Sequence, residues 1–356
     1  MRCARQAPYP VHRLQRRDMG AGREDRAIAI LDAFADSTGV SSAAPPRRYL
    51  WTDAFAVYTW LGLYLSQRER RFLDLAKRLI AQVHEVLGAH NTDPAHPTAR
   101  GLRIGKRLAE RAAGEPYDPE LEWDRDGQYY HYLTRWMRAL ERAGRVAEDE
   151  RYRAWATELA AAAHCNFVHA RGIYWKMSVD LSRPLVPSQG MHDPLDGLVV
   201  TATLGLATEA RELARFCADR RWATNDPLGA GGLLLDALGL QRLVAEGRGD
   251  LQPLFAQVVE DCALSLAGVA QDNFIGLRAA RRLAFRELGL ALGLQAVAPL
   301  GEGADVSLLQ RYVPLARAVE EFWLEPANQA ASTWTAHADI NAVMLAAALA
   351  PRGTLL

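Results

Sequence analysis

The chain is poor in cysteine, with four in 356 residues: Cys3, Cys165, Cys217 and Cys262, far apart and with no CxxC pair. That spacing excludes a disulfide framework and a cysteine-built zinc site, and it predicts reduced thiols in a cytoplasmic protein. His164 and Cys165 are adjacent but lack partners at ligand spacing, so they read as packing groups, and neither a metal nor a cofactor is expected. An excess of one charge is also missing. Lys and Arg total 42 and Asp and Glu total 42, so no basic face argues for a nucleic-acid partner. Uncharged apolar runs such as Leu288 to Leu300 are too short to span a bilayer, so no membrane partner is expected. The N-terminus carries Arg2, Arg5, Arg13, Arg16, Arg17 and Arg23 with no continuous apolar stretch behind them, unlike a secretory signal. Residues 1–22 read as a disordered leader, and 1–18 are expected to contribute nothing to the fold. No low-complexity segment or linker interrupts the remainder, which reads as one domain over 23–350.

What is present is helical periodicity. Apolar residues recur at three and four over twelve segments. Arg23 to Ala35, Arg70 to Leu87, Asp149 to Val168, Glu209 to Trp222, Leu251 to Ala267 and Val306 to Leu324 are amphipathic. Between them, Trp51 to Ser66, Gly127 to Ala143, Asp193 to Ala207, Gly229 to Val244, Leu283 to Val297 and Ala338 to Leu349 are apolar or largely so. An all-apolar helix is buried and a helix with one polar face is peripheral. Six of each in strict alternation predict a closed ring of six hairpins, with the apolar helices inside: an all-α (α/α)6 toroid. An open solenoid would need polar-faced caps at both ends, and the last segment is wholly apolar. Two connections are long, 88–126 and 170–192. The second is rich in β-branched and aromatic residues and predicts a small β-hairpin at the mouth of the ring. Both join an outer to an inner helix, which puts them at one end.

In such a ring the inner helices run parallel and their N-termini meet at one mouth. The starts carry Asp53, Asp124 with Asp126, Asp193 with Asp196, Asp226, Glu287 and Asp339. Trp51, Trp123, Tyr129, Tyr130 and Trp334 lie close by in sequence, with Trp175 on the hairpin, as do His131, His192 and His337. Any single Asp is accounted for as an N-cap, Asp226 before Pro227 most of all. Doubled acids exceed what a cap needs, and aromatic faces beside carboxylates suit a sugar. Asp126 and Asp196 are therefore expected to act as acid and base. Asp124 and Asp193 stand as second choices or as neighbours that raise the acid's pKa. Trp51, Asp53, Trp123, Tyr129, Tyr130, Trp175, His192, Arg286, Glu287, Trp334, His337 and Asp339 are expected to bind substrate. Arg103, Lys106 and Arg107 in the first long loop read as solvated or paired charges, or as donors to a sugar acid or phosphate. The glycines of DPLGAGG, 226–232, follow no strand and read as close helix packing rather than a nucleotide loop.

On this pattern of helices and mouth acids, the chain resembles six-hairpin (α/α)6 glycosidase-type proteins over residues 24–349. These include inverting glycoside hydrolases, unsaturated glucuronyl hydrolases and N-acylglucosamine 2-epimerase-like isomerases. The resemblance implies a small-molecule partner, a sugar or sugar acid, at the mouth. It implies carboxylates as acid and base if the chain is a hydrolase. In an epimerase or isomerase, histidines such as His192 and His337 would move the proton. A non-catalytic scaffold is the rival reading: its mouth acids would each be capped or ion-paired with no open pocket, whereas an enzyme would leave at least two unpaired acids facing a cavity. Lanthionine-cyclase-like and terpene-cyclase-like readings fail for want of zinc ligands and of a DxDD or diphosphate-binding cluster.

Overall fold

Helix ends in this chain are set by short local signals. Asp149 caps the amide of Arg151, Asp226 caps Gly229, and Gly205 closes a helix in the left-handed conformation at φ 80°. The computed structural model describes residues 19–272, 274–301 and 304–356. Residues 1–18, expected as a leader, lie outside the described residues. Twelve long helices carry the fold: α1 (Met19–Ser37), α2 (Leu50–Gln67), α3 (Arg70–Leu87), α4 (Tyr130–Ala147), α5 (Glu150–Phe167), α6 (Asp193–Leu204), α7 (Ala207–Cys217), α8 (Pro227–Ala245), α9 (Gln252–Gln271), α10 (Ala284–Leu294), α11 (Val313–Leu324) and α12 (Ala338–Leu349).

The even-numbered helices pack in a circuit, α2 on α4, then α6, α8, α10 and α12, and α12 returns to α2. Each is backed by an outer helix: α3 on α2, α5 on α4, α7 on α6, α9 on α8, α11 on α10, and α1 on α12. The ring therefore closes between the first and last helices. Arg23 of α1 seals it, donating to Glu320 of α11 at 3.0 Å and to the carbonyl of Ala348 at 3.2 Å. This is the (α/α)6 toroid. Length and composition alone would let α8 and residues 249–276 cross a membrane, but α8 is an inner wall of the ring.

Boundaries differ from the sequence reading where local structure intervenes. The segment expected as one helix over Val306 to Leu324 breaks into Ala304–Gln310 and α11. Trp222 lies beyond the end of α7, fully buried in the connection to α8. The glycines of α8 do pack closely: a Cβ on Gly231 would stand 2.2 Å from the carbonyl oxygen of Gly289 in α10. The described cysteines, Cys165, Cys217 and Cys262, are free, and His164 pairs with Glu212 at 2.9 Å.

The two long connections fold together. Strands β1 (Gln128–Tyr129), β4 (Lys176–Met177) and β5 (Pro184–Val186) form an antiparallel sheet with β4 in the middle. Strands β2 (Val168–His169) and β3 (Gly172–Ile173) form a separate hairpin. The sheet draws one strand from the end of the first connection and two from the second, so both connections lie at one end of the ring. Lys176 fastens them. Its fully buried ammonium donates to Oε1 of Glu122 at 2.9 Å and to the carbonyls of Glu122 and Arg125 at 2.7 and 2.9 Å.

One inner helix breaks the expected pattern. α4 was expected to be largely apolar, yet it carries Arg135, Arg138, Arg142 and Arg145 at spacings of three, four and three, a single helical face. The first three are buried. Arg138 reaches both Asp196 of α6 and Asp236 of α8, at 2.7 and 2.6 Å. Helix α8 does not neighbour α4 in the circuit, so this bridge crosses the interior of the ring. The charged stripe of α4 faces inward.

Candidate functional site

The inner-helix starts meet, and contacts between them run round the whole mouth. Tyr49, before α2, hydrogen-bonds Tyr132 of α4 through their hydroxyls at 2.7 Å. Thr134 of α4 donates to Asp196 of α6 at 2.5 Å. His192, before α6, donates from Nε2 to the carbonyl of Trp222, and its ring lies beside Gly229 of α8. Asp226, before α8, pairs with Arg286 of α10 at 2.5 Å. The Phe285 ring of α10 meets His337, and the Phe285 amide donates to Asn341 of α12. Asp339 of α12 pairs with Arg47 before α2 at 3.3 Å.

The carboxylates expected as acid and base are committed to the protein, the pairing that was expected of a non-catalytic scaffold. Asp126 is 2% exposed, and its oxygens accept from Arg103 at 2.9 Å and from the Gly105 amide at 3.0 Å, which pins the first long loop. Asp196 accepts from Thr134 and Arg138, with Arg135 at 3.3 Å. Burial would raise its pKa, but Arg135 and Arg138 together hold it below the usual carboxylate range. The two acids do not converge on a common partner. Asp193 is buried, accepts from the Gly190 amide at 3.0 Å and is pushed up to about 7 by burial, with Asp196 adding to the rise. Asp124 is exposed.

The expected binding residues divide. Asp53 is buried against Arg48 and caps Tyr49, and burial pushes it up to about 7. Glu287 is gripped by the Arg282 fork and by Trp323 Nε1, between inner and outer helices rather than at the mouth. Tyr130 packs on Phe167, and Trp334 stacks on Trp323, both in the wall. These three depart from the expectation because apolar area and a paired charge are buried best where two helix layers meet. His337 is exposed and lies edge-on to Phe285.

Trp51, Tyr129, His131, Tyr132 and Trp175 do come together as one aromatic group. Trp175 Nε1 donates to His131 Nδ1 at 3.2 Å, so the neutral ring carries its proton on Nε2. Burial lowers the His131 pKa to about 4, which keeps the imidazole neutral. Tyr129 stacks on His131 with centroids 5.4 Å apart, and Trp51 meets it edge-on at 6.0 Å. Trp123, half exposed, stands edge-on to Trp175 at 4.8 Å. Trp123, Trp175 and Tyr129 line a cavity of about 90 Å³ beside Glu122 and Ser188.

Arg135 was missed from sequence. It lies one turn below His131, under Trp51 at 5.9 Å from the ring, and beside Gly232 of α8. An arginine four residues after a mouth histidine was the available signal. His192 offers the complementary group. Its Nε2–H is spent on Trp222, its Nδ1 has no protein partner among the described residues, and burial lowers its pKa. Among the described residues no group of three histidine, cysteine or carboxylate side chains could hold a metal ion.

A closed ring of six hairpins with its long connections at one end is the (α/α)6-barrel fold. No protein-family profile matches the chain and no curated protein matches its sequence. Solved structures do match in fold. The GH76A alpha-1,6-mannanase from Salegentibacter sp. is 11% identical, with 94% of this chain and 100% of that one covered at a TM-score of 0.61. A sugar epimerase from a ruminal bacterium is 12% identical over 86% and 87%, at 0.56. Cellobiose 2-epimerase from Spirochaeta thermophila is 15% identical over 86% of each chain, at 0.53.

Proposed function

We propose that the mouth binds a carbohydrate and interconverts it by proton transfer, as a sugar epimerase or isomerase, with His192 as the base. One observation carries this reading. Asp126 and Asp196 are both occupied by internal partners, whereas His192 keeps Nδ1 unpartnered and is held neutral by burial. A base must be within reach of its proton and unprotonated at working pH. In this scheme Nδ1 takes the proton from the carbon beside an open-chain sugar's carbonyl. The electron pair moves onto the carbonyl oxygen as an enediolate, which the Arg135 guanidinium stabilises. A proton delivered to the opposite face of the same carbon inverts it, and one returned to the neighbouring carbon, with the hydroxyl proton of the first carbon passing to the former carbonyl oxygen, isomerises the sugar. Trp51, Tyr129, Tyr132 and Trp175 supply faces for the apolar side of the sugar. The similar folds bear the names of sugar epimerases and of mannanases alike, so they support a sugar as substrate and favour neither chemistry.

The test is incubation of free aldoses and ketoses with the purified protein in D2O. Proton NMR should show exchange at the carbon next to the carbonyl, and His192→Asn should slow it by about 10²-fold or more. No exchange with any sugar would remove the reading. A second reading keeps one observation of its own: Asp193, raised to about 7, has the pKa a glycosidase's general acid needs. Release of phenol from aryl glycosides, lost in Asp193→Asn, would put hydrolysis first.

A further inference from the structure

The arginine stripe of α4 runs past the centre of the ring. Arg142 and Arg145 carry it to the C-terminal ends of the inner helices, where a cavity of about 380 Å³ opens between α4, α6 and α8. Five arginines line it, Arg138, Arg142 and Arg145 with Arg153 of α5 and Arg242 of α8, against two side-chain carboxylates, Glu141 and Glu246, and the main-chain end at Leu356. Four of the five are committed. Arg138 lies between Asp196 and Asp236, and Arg145 donates to Glu141 at 3.3 Å. Arg153 donates to the carbonyl of Leu204 at 3.1 Å, and Arg242 to the carbonyl of Leu355.

Arg142 is the exception. It is 8% exposed, lies over the Tyr58 ring at 4.5 Å, and has no hydrogen bond or ion pair among the described residues. None of its nitrogens is sealed away without a partner, so the guanidinium faces the cavity and answers no protein anion among the described residues. Burial pulls its pKa down to about 10, and Arg138 and Arg145 add to the pull. Neutralising the negative ends of the inner helices accounts for Arg153, whose acceptor is the last carbonyl of α6. It does not account for Arg142, whose contact is a ring.

We infer that this cavity, at the opposite end of the ring from the mouth, is an anion site centred on Arg142 that takes the phosphate group of a small phosphorylated metabolite. A guanidinium fork matches phosphate oxygens in pairs, and a dianion answers more than one arginine at once. The volume exceeds that of a single water site many times over.

The experiment is calorimetric titration of the full chain with inorganic phosphate, with sodium acetate and sodium chloride at matched ionic strength as comparators. Phosphate should bind more tightly than acetate, and chloride should give no saturable heat. Arg142→Gln should weaken phosphate binding at least tenfold. In phosphate-free buffer the same variant should lose no more stability than its contact with the Tyr58 ring is worth, because it makes no hydrogen bond or ion pair to lose, whereas an arginine that held the fold through such bonds would lower the melting temperature further. If Arg142→Gln fails to fold, Arg142→Lys keeps the charge and loses the fork, and it should weaken phosphate binding severalfold. His192→Asn should bind phosphate as wild type does. Equal affinity in the Arg142 variants, tighter acetate than phosphate, or phosphate binding abolished by His192→Asn would each overturn the site.

Discussion

Gly231→Ala in α8 should destabilise the protein sharply, and Gly232→Ala, the next residue, should not. A Cβ at 231 would stand 2.2 Å from the carbonyl oxygen of Gly289, 2.6 Å from its carbon and 2.8 Å from Cα of Leu290. Every atom struck is backbone of α10, so no side chain can swing aside. The reverse contact is as close, with a Cβ on Gly293 placed 2.3 Å from the Gly231 carbonyl oxygen. Restoring van der Waals contact means parting two inner helices by roughly 1 Å, an overpacking cost of about 1–3 kcal/mol. Alanine's better helix propensity returns about 1 kcal/mol, and because the strain falls on backbone the cost belongs at the upper end, leaving a net loss of about 2 kcal/mol. At Gly232 the nearest atom to a Cβ is Arg135 Nη2 at 3.6 Å, an ordinary contact, so the propensity gain stands nearly alone. Urea unfolding followed by circular dichroism at 222 nm measures both. Wild-type stability in Gly231→Ala, or a larger loss in Gly232→Ala than in Gly231→Ala, would refute the claim that α8 and α10 meet backbone to backbone.

Three further outcomes follow from the site. Asp126→Ala leaves the Gly105 amide and Arg103 without their acceptor and should cost about 1–3 kcal/mol, while the conservative Asp126→Asn should change melting temperature more than sugar turnover; a loss of turnover with stability intact would return Asp126 to the chemistry. Asp236 is pushed up to about 7 by burial and by Asp196, so its contribution is full below its unfolded pKa near 4 and is lost as pH rises through 7. The fall in wild-type melting temperature from pH 5 to pH 8 should therefore shrink in Asp236→Asn, and an unchanged slope would show that Asp236 is ionised throughout. Because burial lowers the His192 pKa, the acid limb of the pH–rate profile should lie below the ordinary histidine value near 6.5; a limb above it would point to another base.

The ring was legible because alternation between apolar and amphipathic segments is a property of each helix alone. The DPLGAGG packing and the Asp226 cap were legible for the same reason: the signals, glycine density and a following proline, sit within one turn of the residue. The pairing of Asp126 was not legible because its partner Arg103 is 23 residues upstream, across an irregular loop that no periodicity describes. The inward stripe of α4 was missed for a different reason. Arginines at three- and four-residue spacing ordinarily mark a solvated face, and only Asp196 and Asp236, brought in from α6 and α8, make the interior tolerable for them. Glu287, Tyr130 and Trp334 stand near helix starts in sequence, but helix rotation turns them into the wall, and that rotation is set by neighbouring helices.

The pairing of α1 with α12 has a consequence for synthesis. Helix α1 is synthesised long before its main packing partner, since Met19–Ser37 rests on Ala338–Leu349. The hairpins from α2 to α9 can form in order from contacts close in sequence, but the seam joining the two ends depends on the longest-range contacts in the molecule, the slowest kind to make. Until then the nascent chain is an open arc with one apolar face of α2 and one of α10 uncovered. Quality control in the cell would meet this protein as an incomplete ring, and variants that loosen the α1–α12 seam should lower yield during synthesis more than they lower the stability of finished molecules.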